Sequence, residues 1–386
     1  MRTQDFLELA PGKLVKASAG YWAFVPNPLP PEIRWTPELV SQLSDADREL
    51  AGLASLGTSF PNPHIMVKPF IRREAVLSSR IEGTQTTLEQ LYTYEAVQLP
   101  LFEPAPDAQE VYNYVRALDY GLERLKTLPV SLRLIREMHA KLMEGVRGEA
   151  STPGKFRRSQ NWIGPPESTL QTAAFVPPPV DEMYAALDQL EKFIHARSEL
   201  PLLIRLGLLH YQFEAIHPFL DGNGRLGRLL IILLLCEWGL LPQPLMYLSA
   251  YFDANRQEYY QQLLAISQRG DWEAWLLFFL RGVRDQARES ALRLARLKDL
   301  RATFQQRLQG ERTLARLMQV VDFLLGSPIV SVRQVQAGIG ASDYKIAQRC
   351  VTRLEQHGII REITGQARNR LYRVDEVMQV FLDPPG

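Results

Sequence analysis

The sequence predicts a mainly α-helical protein that carries one β-hairpin and ends in a smaller helix-and-hairpin unit. Three observations carry that reading. Apolar residues recur at helical spacing through most of residues 37–300. One stretch, 152–179, breaks the pattern with short alternating pieces around a polar turn. From residue 311 the texture changes to helix, helix, helix and then two short strands, the winged-helix order.

Composition fits a soluble globular chain. Of 386 residues, 46% are hydrophobic and 23% charged, and the formal net charge is +1. Length alone allows roughly two or three domains. Near-neutral charge gives no overall pull toward nucleic acid or membrane. The two cysteines, Cys236 and Cys350, lie in apolar helical surroundings and suggest neither a disulfide framework nor a metal site. The first residues lack the apolar core of a signal peptide, and the run at 229–241 is too short to span a bilayer. A cytoplasmic protein without membrane contact is expected, with a helix at 229–238 buried on all sides.

Residues 18–36, rich in proline and aromatics, read as an extended arm lying on a folded body. Helical patterns follow at about 37–55, 63–82, 86–98 and 107–127, with a proline-rich break at 99–106. Further helices are predicted near 131–145, 180–197, 201–216, 225–238, 255–268 and 271–300. Thr86 with Glu89 reads as a capping box. Residues 154–164 and 172–178 are the two strands expected of the hairpin. Residues 281–312 carry nine Lys/Arg against four Asp/Glu and read as a solvated linking helix. Residues 311–386 carry ten against eight, a weak basic signal, with Gly358 capping the third helix.

The chemistry concentrates in HPFLDGNGRLGR, residues 217–228. One helix ends at Pro218 and another begins near Arg225. The Asp-Gly-Asn-Gly loop between them can present consecutive backbone N–H groups as an anion nest. The following helix adds its positive N-terminal end. Arg225 and Arg228 can clasp phosphate oxygens. Asp221 is a hard oxygen ligand suited to Mg²⁺ shared with phosphates. His217, just before the nest, can take a proton from an attacking hydroxyl. A lone DGNG is usually only a turn, but six functional side chains in twelve residues imply chemistry on a nucleotide phosphate.

This stretch resembles the Fic family signature, H-x-F-x-[DE]-G-N-G-R-x-x-R, at His217, Phe219, Asp221, Gly222, Asn223, Gly224, Arg225 and Arg228. The resemblance implies a Fic helical core with a β-hairpin flap, plus a C-terminal winged-helix domain. It implies transfer of AMP from ATP to a Ser, Thr or Tyr hydroxyl of a protein. His217 would be the general base, and Asp221 would hold Mg²⁺. The nucleotide would meet Asp221, Gly222, Asn223, Gly224, Arg225, Leu226, Gly227 and Arg228, with Arg228 on the γ-phosphate. Phe219 would anchor the loop, and the 154–178 hairpin would dock the target protein by strand pairing. Tyr259 and Tyr260 fall where relatives use a tyrosine against the nucleotide, so one would stack on adenine or ribose and the other pack in the core. Ser267 is a weaker base-edge candidate, and Phe175 and Val176 would border the adenine pocket. The implied organisation is an arm and helices over 1–110, a catalytic core over 111–285, a linking helix over 286–310 and the winged-helix-like unit over 311–386.

SSRIEG, residues 78–83, raises a second point. Gly83 terminates a helix, so Glu82 faces the negative end of the helix dipole and invites a cationic partner. Taken alone, Glu82 reads as a solvent-exposed residue. Beside the Fic signature, Ser78, Glu82 and Gly83 resemble the family's inhibitory motif [ST]-x-x-x-E-[GN]. Glu82 would then pair with Arg228 and keep it from the γ-phosphate, with Ser78 helping to dock the inhibitory helix. In some relatives the same glutamate supports AMP removal.

Other residues read as structural. His210 is assigned to the core, His139 and His195 to ordinary helix positions, and Trp272 with Trp275 to the core. The C-terminal unit could serve DNA, a target protein or a second protomer in a homodimer. Three functions therefore compete: an inhibited adenylyltransferase, an enzyme that transfers another group or removes AMP, and a nucleotide-sensing DNA regulator. The near-neutral charge of 311–386 weighs against the third.

Overall fold

The computed structural model describes residues 1–386 except 18, 59–62, 98–105, 146–151, 166 and 384–386, and the side chains of 63–65 and 106. It begins with a hairpin of β1 (Gly12–Lys16) and β2 (Trp22–Pro26), with Leu14 opposite Phe24. The expected arm is thus strand-paired over part of its length. Helices α1 (Pro37–Thr58), α2 (Pro63–Ile81), α3 (Leu88–Val97) and α4 (Pro106–Arg124) follow. Most of the predicted break at 99–106 lies outside the described residues. Ser131 caps α5 (Leu132–Leu142) by accepting from the Leu134 N–H. Then come α6 (Val180–His195), α7 (Leu202–Ile216), α8 (Asn223–Glu237), α9 (Ser249–Ala254), α10 (Arg256–Arg269) and α11 (Trp272–Arg307).

Two helices form the centre. Every residue of α7 except Leu202 and Glu214 is buried, and so is every residue of α8 from Arg225 to Leu235. Helices this apolar all round can only lie inside a protein or a membrane. No helix among the described residues is long and apolar enough to cross a membrane. Helices α4 and α5 pack on α8, α6 on α7, and α11 along both α1 and α7. Trp275 donates its indole N–H to the Gly207 carbonyl, which ties α11 to α7.

The C-terminal part holds α12 (Leu314–Gly326), β3 (Ile329–Ser331), α13 (Val332–Gly338), α14 (Tyr344–Gln356), β4 (Arg361–Glu362), β5 (Leu371–Arg373) and α15 (Asp375–Leu382). Three helices and two strands stand in the predicted order, and β3 and α15 are additions. The sheet order is β3-β5-β4, antiparallel throughout. This part rests on α2: α12 packs against it, and Phe70 meets Phe381 edge-on with centroids 5.2 Å apart. Arg73 donates to the Phe381 carbonyl, while the buried Arg293 donates to the carbonyls of Val380 and Asp383.

Three expectations are corrected. Residues 154–178 form no hairpin ladder: Ile163 and Phe175 exchange the two bonds of one antiparallel bridge. Pro165, Pro177, Pro178 and Pro179 lack the donors that a longer ladder needs. The stretch at 281–312 is not a solvated linker. Its helical part is the second half of α11 and buries Gln286, Ala287, Ser290, Arg293, Leu294, Leu297 and Phe304 along one side. The capping box is Thr87 with Gln90 rather than Thr86 with Glu89. Thr86 is buried and cannot turn to the helix end.

Arg293→Met should unclamp α15. Amide exchange over 375–382 should speed by tenfold or more while α7 and α8 stay protected. Unchanged exchange in α15 would contradict the clamp.

Candidate active site at the start of α8

Helix α7 ends in His217, whose φ of 49° is left-handed and uncommon for a residue with a side chain. Neighbours hold it there. Its N–H bonds the Phe213 carbonyl, and its own carbonyl accepts from Arg157 Nε at 3.0 Å and Asn161 Nδ2 at 3.1 Å. The ring Nδ1 lies 3.3 Å from the Glu214 carbonyl. A carbonyl can only accept, so Nδ1 carries the proton and Nε2 keeps a lone pair. Burial pushes the imidazole down to about 4, so it is neutral at pH 7.

The loop after His217 is pinned from several directions. Phe219 is fully buried and stacks on His139, with centroids 3.8 Å apart and planes 7° from parallel. Asn223 accepts from the Phe219 N–H and donates to the Phe219 carbonyl, both at 2.9 Å. Asn161 donates to the same carbonyl at 2.8 Å. His139 Nε2 sits 3.0 Å from the Asp221 carbonyl, and its Nδ1 accepts from the Gly154 N–H. Gly222 turns the chain with φ 78°. Helix α8 then starts at Asn223, two residues before the predicted Arg225. The first intrahelical bond runs from the Leu226 N–H to the Gly222 carbonyl. The amides of Asn223, Gly224 and Arg225 therefore have no helical acceptor, and they sit at the positive end of a 15-residue helix. That is a seat for an anion.

Asp221 flanks the seat with a carboxylate 55% exposed, and its Oδ1 accepts from the Gly222 N–H. Among the described residues no three His, Cys, Asp or Glu side chains gather around a common point. One exposed carboxylate beside a phosphate seat suits Mg²⁺, which is commonly held by one or two carboxylates and the substrate's own phosphates. Asp221 is thus the residue that would hold it.

Arg228 is 2% exposed and fully engaged on one side. Its Nε donates to Ser78 Oγ at 2.8 Å, and Nη2 donates to the Ser78 carbonyl at 2.9 Å and to Glu82 Oε1 at 2.6 Å. The Tyr114 hydroxyl donates to Glu74 Oε1 at 2.8 Å on the same side of α2. Glu82 follows the last residue of α2, and Gly83, at φ 105°, turns the chain away. The Glu82 side chain is 36% exposed on its outer side. The desolvation it does feel raises its pKa, but the Arg228 charge and hydrogen bond outweigh that and hold it below the usual carboxylate range. The carboxyl lies so close to Gly224 that a Cβ there would stand 2.4 Å from Oε1. The pairing expected of Glu82 and Arg228 is therefore present in the geometry.

Other predicted nucleotide contacts fall differently. Arg225 is 3% exposed and faces inward, to Glu110 at 3.2 Å and the Met143 sulfur at 3.7 Å, so its guanidinium supports the loop from beneath. Leu226 is wholly buried, and its N–H is spent inside the helix. Gly227 packs against Glu214: a Cβ would stand 2.1 Å from Oε1. The Asn223 side chain closes the loop and only its N–H faces the seat. Tyr259 is buried, its hydroxyl 2.8 Å from His210 Nε2, while Tyr260 is 43% exposed. Of the two, only Tyr260 can meet a ligand. Ser267 is 2% exposed and its hydroxyl pairs with Tyr211 at 3.0 Å, so it offers no base-edge contact. Phe175 and Val176 are buried, and the Val176 carbonyl already accepts from the Phe24 N–H of β2. Sequence reasoning missed Arg157, Asn161, His139 and Glu214. Three of these act on backbone carbonyls far away in sequence, and none carries a local signal.

A buried two-helix core opens its second helix onto an anion seat, behind a histidine with a free lone pair, an arrangement suited to a phosphate-bearing ligand. Residues 40–123 match the Fic/DOC family N-terminal profile and residues 129–235 the Fic/DOC family profile. The chain belongs to the Fic/DOC family. It is 24% identical over 205 residues to the protein adenylyltransferase Fic of Drosophila erecta, and 25% identical over 205 residues to that of Drosophila virilis. Each match covers 51% of this chain, but only 37% and 38% of the respective relative, so the chain spans well under half the length of those proteins. Among solved structures it resembles a Fic family protein from Desulfovibrio desulfuricans G20, with a TM-score of 0.58 and 22% identity over 90% of this chain and 98% of that one. It also resembles a Fic domain containing signaling protein from Bacteroides thetaiotaomicron VPI-5482, with a TM-score of 0.50 and 18% identity over 66% and 95% of the chains. These structures share the fold.

Gly227→Ala should destabilise the protein by about 1–3 kcal/mol, because the new methyl overlaps the Glu214 carboxyl. Adding Glu214→Ala should recover part of that loss in thermal melts. Strict additivity of the two changes would show that the overlap is unimportant.

Proposed function

We propose that the chain is a protein adenylyltransferase that moves AMP from ATP to a Ser, Thr or Tyr hydroxyl of another protein, and that Glu82 holds it off. One observation carries this reading: a buried arginine beside the phosphate seat is occupied by a carboxylate from another helix. A carboxylate oxygen on Arg228 stands in for a phosphate oxygen in charge and hydrogen-bonding capacity.

In the reaction, His217 Nε2 takes the proton of the target hydroxyl. The freed oxygen attacks the α-phosphorus, and the bond from that phosphorus to the bridging oxygen of the diphosphate breaks. The amides of Asn223, Gly224 and Arg225 receive the polyphosphate and steady its charge. Mg²⁺ on Asp221 would offset charge on the phosphates. Arg228, once free of Glu82, would fix the terminal phosphate and so align the α-phosphorus for attack. Misalignment by about 1 Å can cost on the order of a hundredfold in rate. One ion pair is therefore enough for a switch. The target segment would lie along 154–178, on the side away from β2.

Charge sorting favours a nucleic-acid partner for the C-terminal part. Its acidic side chains are mostly engaged: Asp322 with Arg301, Glu376 with Arg307, Asp375 with Arg361 and Arg373, and Glu311 with His357. Asp343 caps α14 and Glu362 caps the turn that follows β4. Lys345 and Arg349, four apart on the exposed side of α14, and Arg368 with Arg370 in the β4–β5 turn form no ion pair among the described residues. The near-neutral count thus conceals an uncompensated basic face, which suits phosphates. Lys345→Ala with Arg349→Ala should weaken duplex DNA binding and flatten its salt dependence. Salt-independent binding, or none by the intact chain, would end this reading.

Labelled AMP from α-labelled ATP tests the enzyme. Label should reach protein weakly with the native chain, strongly with Glu82→Gly, and not at all with Glu82→Gly combined with His217→Ala. Equal labelling with and without His217 would remove its role as base. In NMR titration the His217 ring should stay neutral as pH falls through 6.5 and gain its proton only near about 4. Protonation near 6.5 would show that the ring is solvated.

A further inference from the structure

Two carboxyl groups stand along the face of α8 next to Arg228, Glu82 at Gly224 and Glu214 at Gly227, and the function proposed above uses only the first. Glu82 is paired. Glu214 is not: its Oε1 is buried without a hydrogen-bond partner. It fills the notch left by Gly227, beside Arg228, as Glu82 fills the notch left by Gly224 on the same face of α8. Burial pushes the Glu214 carboxyl up to about 8, with Arg228 pulling it down and Glu82 pushing it further up. While Glu82 sits on Arg228, Glu214 is mostly neutral at pH 7. Withdrawing Glu82 reverses both influences. A buried guanidinium is left without its counter-ion, which is costly, and the negative charge that opposed ionisation of Glu214 is gone.

We propose that Glu214 is the reserve counter-ion of Arg228, neutral while Glu82 or a nucleotide's terminal phosphate occupies the arginine and ionised when neither does. A nucleotide that takes over Arg228 then returns one proton to Glu214. This makes Glu214 a positioning residue: it keeps the guanidinium in place between one anionic partner and the next, and it sets a pH limit on nucleotide binding. The inference rests on the reading that Arg228 receives the terminal phosphate.

The surrounding groups leave Glu214 alone to report. On its own helix, burial holds His210 at about 3 and His217 at about 4, so both are neutral above pH 7. From α10, burial raises Tyr259 well above its usual range and raises Tyr260. Arg228 is raised further and stays charged, and Glu82 is removed in the test protein. MgATP is largely ionised from roughly pH 7 to 8, a window that stays at or below the value of about 8 that Glu214 has beside an occupied Arg228.

The test uses the full chain with Glu82→Gly and His217→Ala, which binds without turnover, and the same chain with Glu214→Gln added. Binding of MgATP is measured by calorimetry across that window, in buffers of different ionisation heat. In the first protein the Kd should rise toward tenfold per pH unit, with close to one proton taken up. With Glu214→Gln the Kd should be flat and the uptake lost, while binding persists because the amide keeps the shape. The chain that retains Glu82 and carries only His217→Ala should show little uptake, because the phosphate replaces one anion on Arg228 by another and leaves the ionisation of Glu214 as it was. A flat profile in the first protein, or an unchanged slope with Glu214→Gln, overturns the proposal and leaves the adenylyltransferase reading intact. No ATP binding at any pH after Glu82→Gly overturns both.

Discussion

A single guanidinium sits where every part of the site meets. Arg228 is carried by the buried helix that also presents the phosphate seat, and it is almost wholly removed from water. A buried cation without a partner is costly, on the order of 3–5 kcal/mol when one member of a pair is removed. The fold therefore has to give it an anion at all times. Ser78 and Glu82 from the end of α2 answer that need in the resting chain. Any nucleotide that enters must answer it in their place. In the function proposed above, competition for that one charge would convert a structural requirement into a switch.

That arrangement explains why α2 is held so firmly. Glu74 accepts from the Tyr114 hydroxyl, the Ser249 hydroxyl and the Ser249 N–H, which locks the middle of α2 to α4 and α9. The C-terminal part braces its other side through Phe70, Arg73 and α12. Glu82 is thus the tip of a helix gripped along its length. Its reach to Arg228 depends on packing far from the phosphate seat.

Much of this was legible in the sequence, for reasons that differ by residue. The loop from His217 to Arg228 could be read because its chemistry lies in consecutive residues, where local geometry and residue type combine. The pairing of Glu82 was legible only through the resemblance of Ser78, Glu82 and Gly83 to the family's inhibitory motif; the local stretch alone reads as a solvent-exposed glutamate. Asn161, Arg157 and His139 were not legible, because their partners are backbone carbonyls brought near only by the fold. Leu226 is buried and Gly227 packs against Glu214, surroundings that a motif alone does not specify. The capping box slipped by one residue because Thr86 and Thr87 both have an acid or amide three positions on, and burial of Thr86 decides between them. The second half of α11 looked solvated because a charge count averages over a helix whose two sides have opposite environments.

The central claim is that Glu82 and a terminal phosphate exclude each other from Arg228. ADP lacks that phosphate, so the affinities of ATP and ADP, compared in the native chain and in Glu82→Gly, test it most directly. The account predicts that Glu82→Gly strengthens ATP binding by tenfold or more and leaves ADP binding nearly unchanged. Equal strengthening of both nucleotides, or of neither, would contradict it.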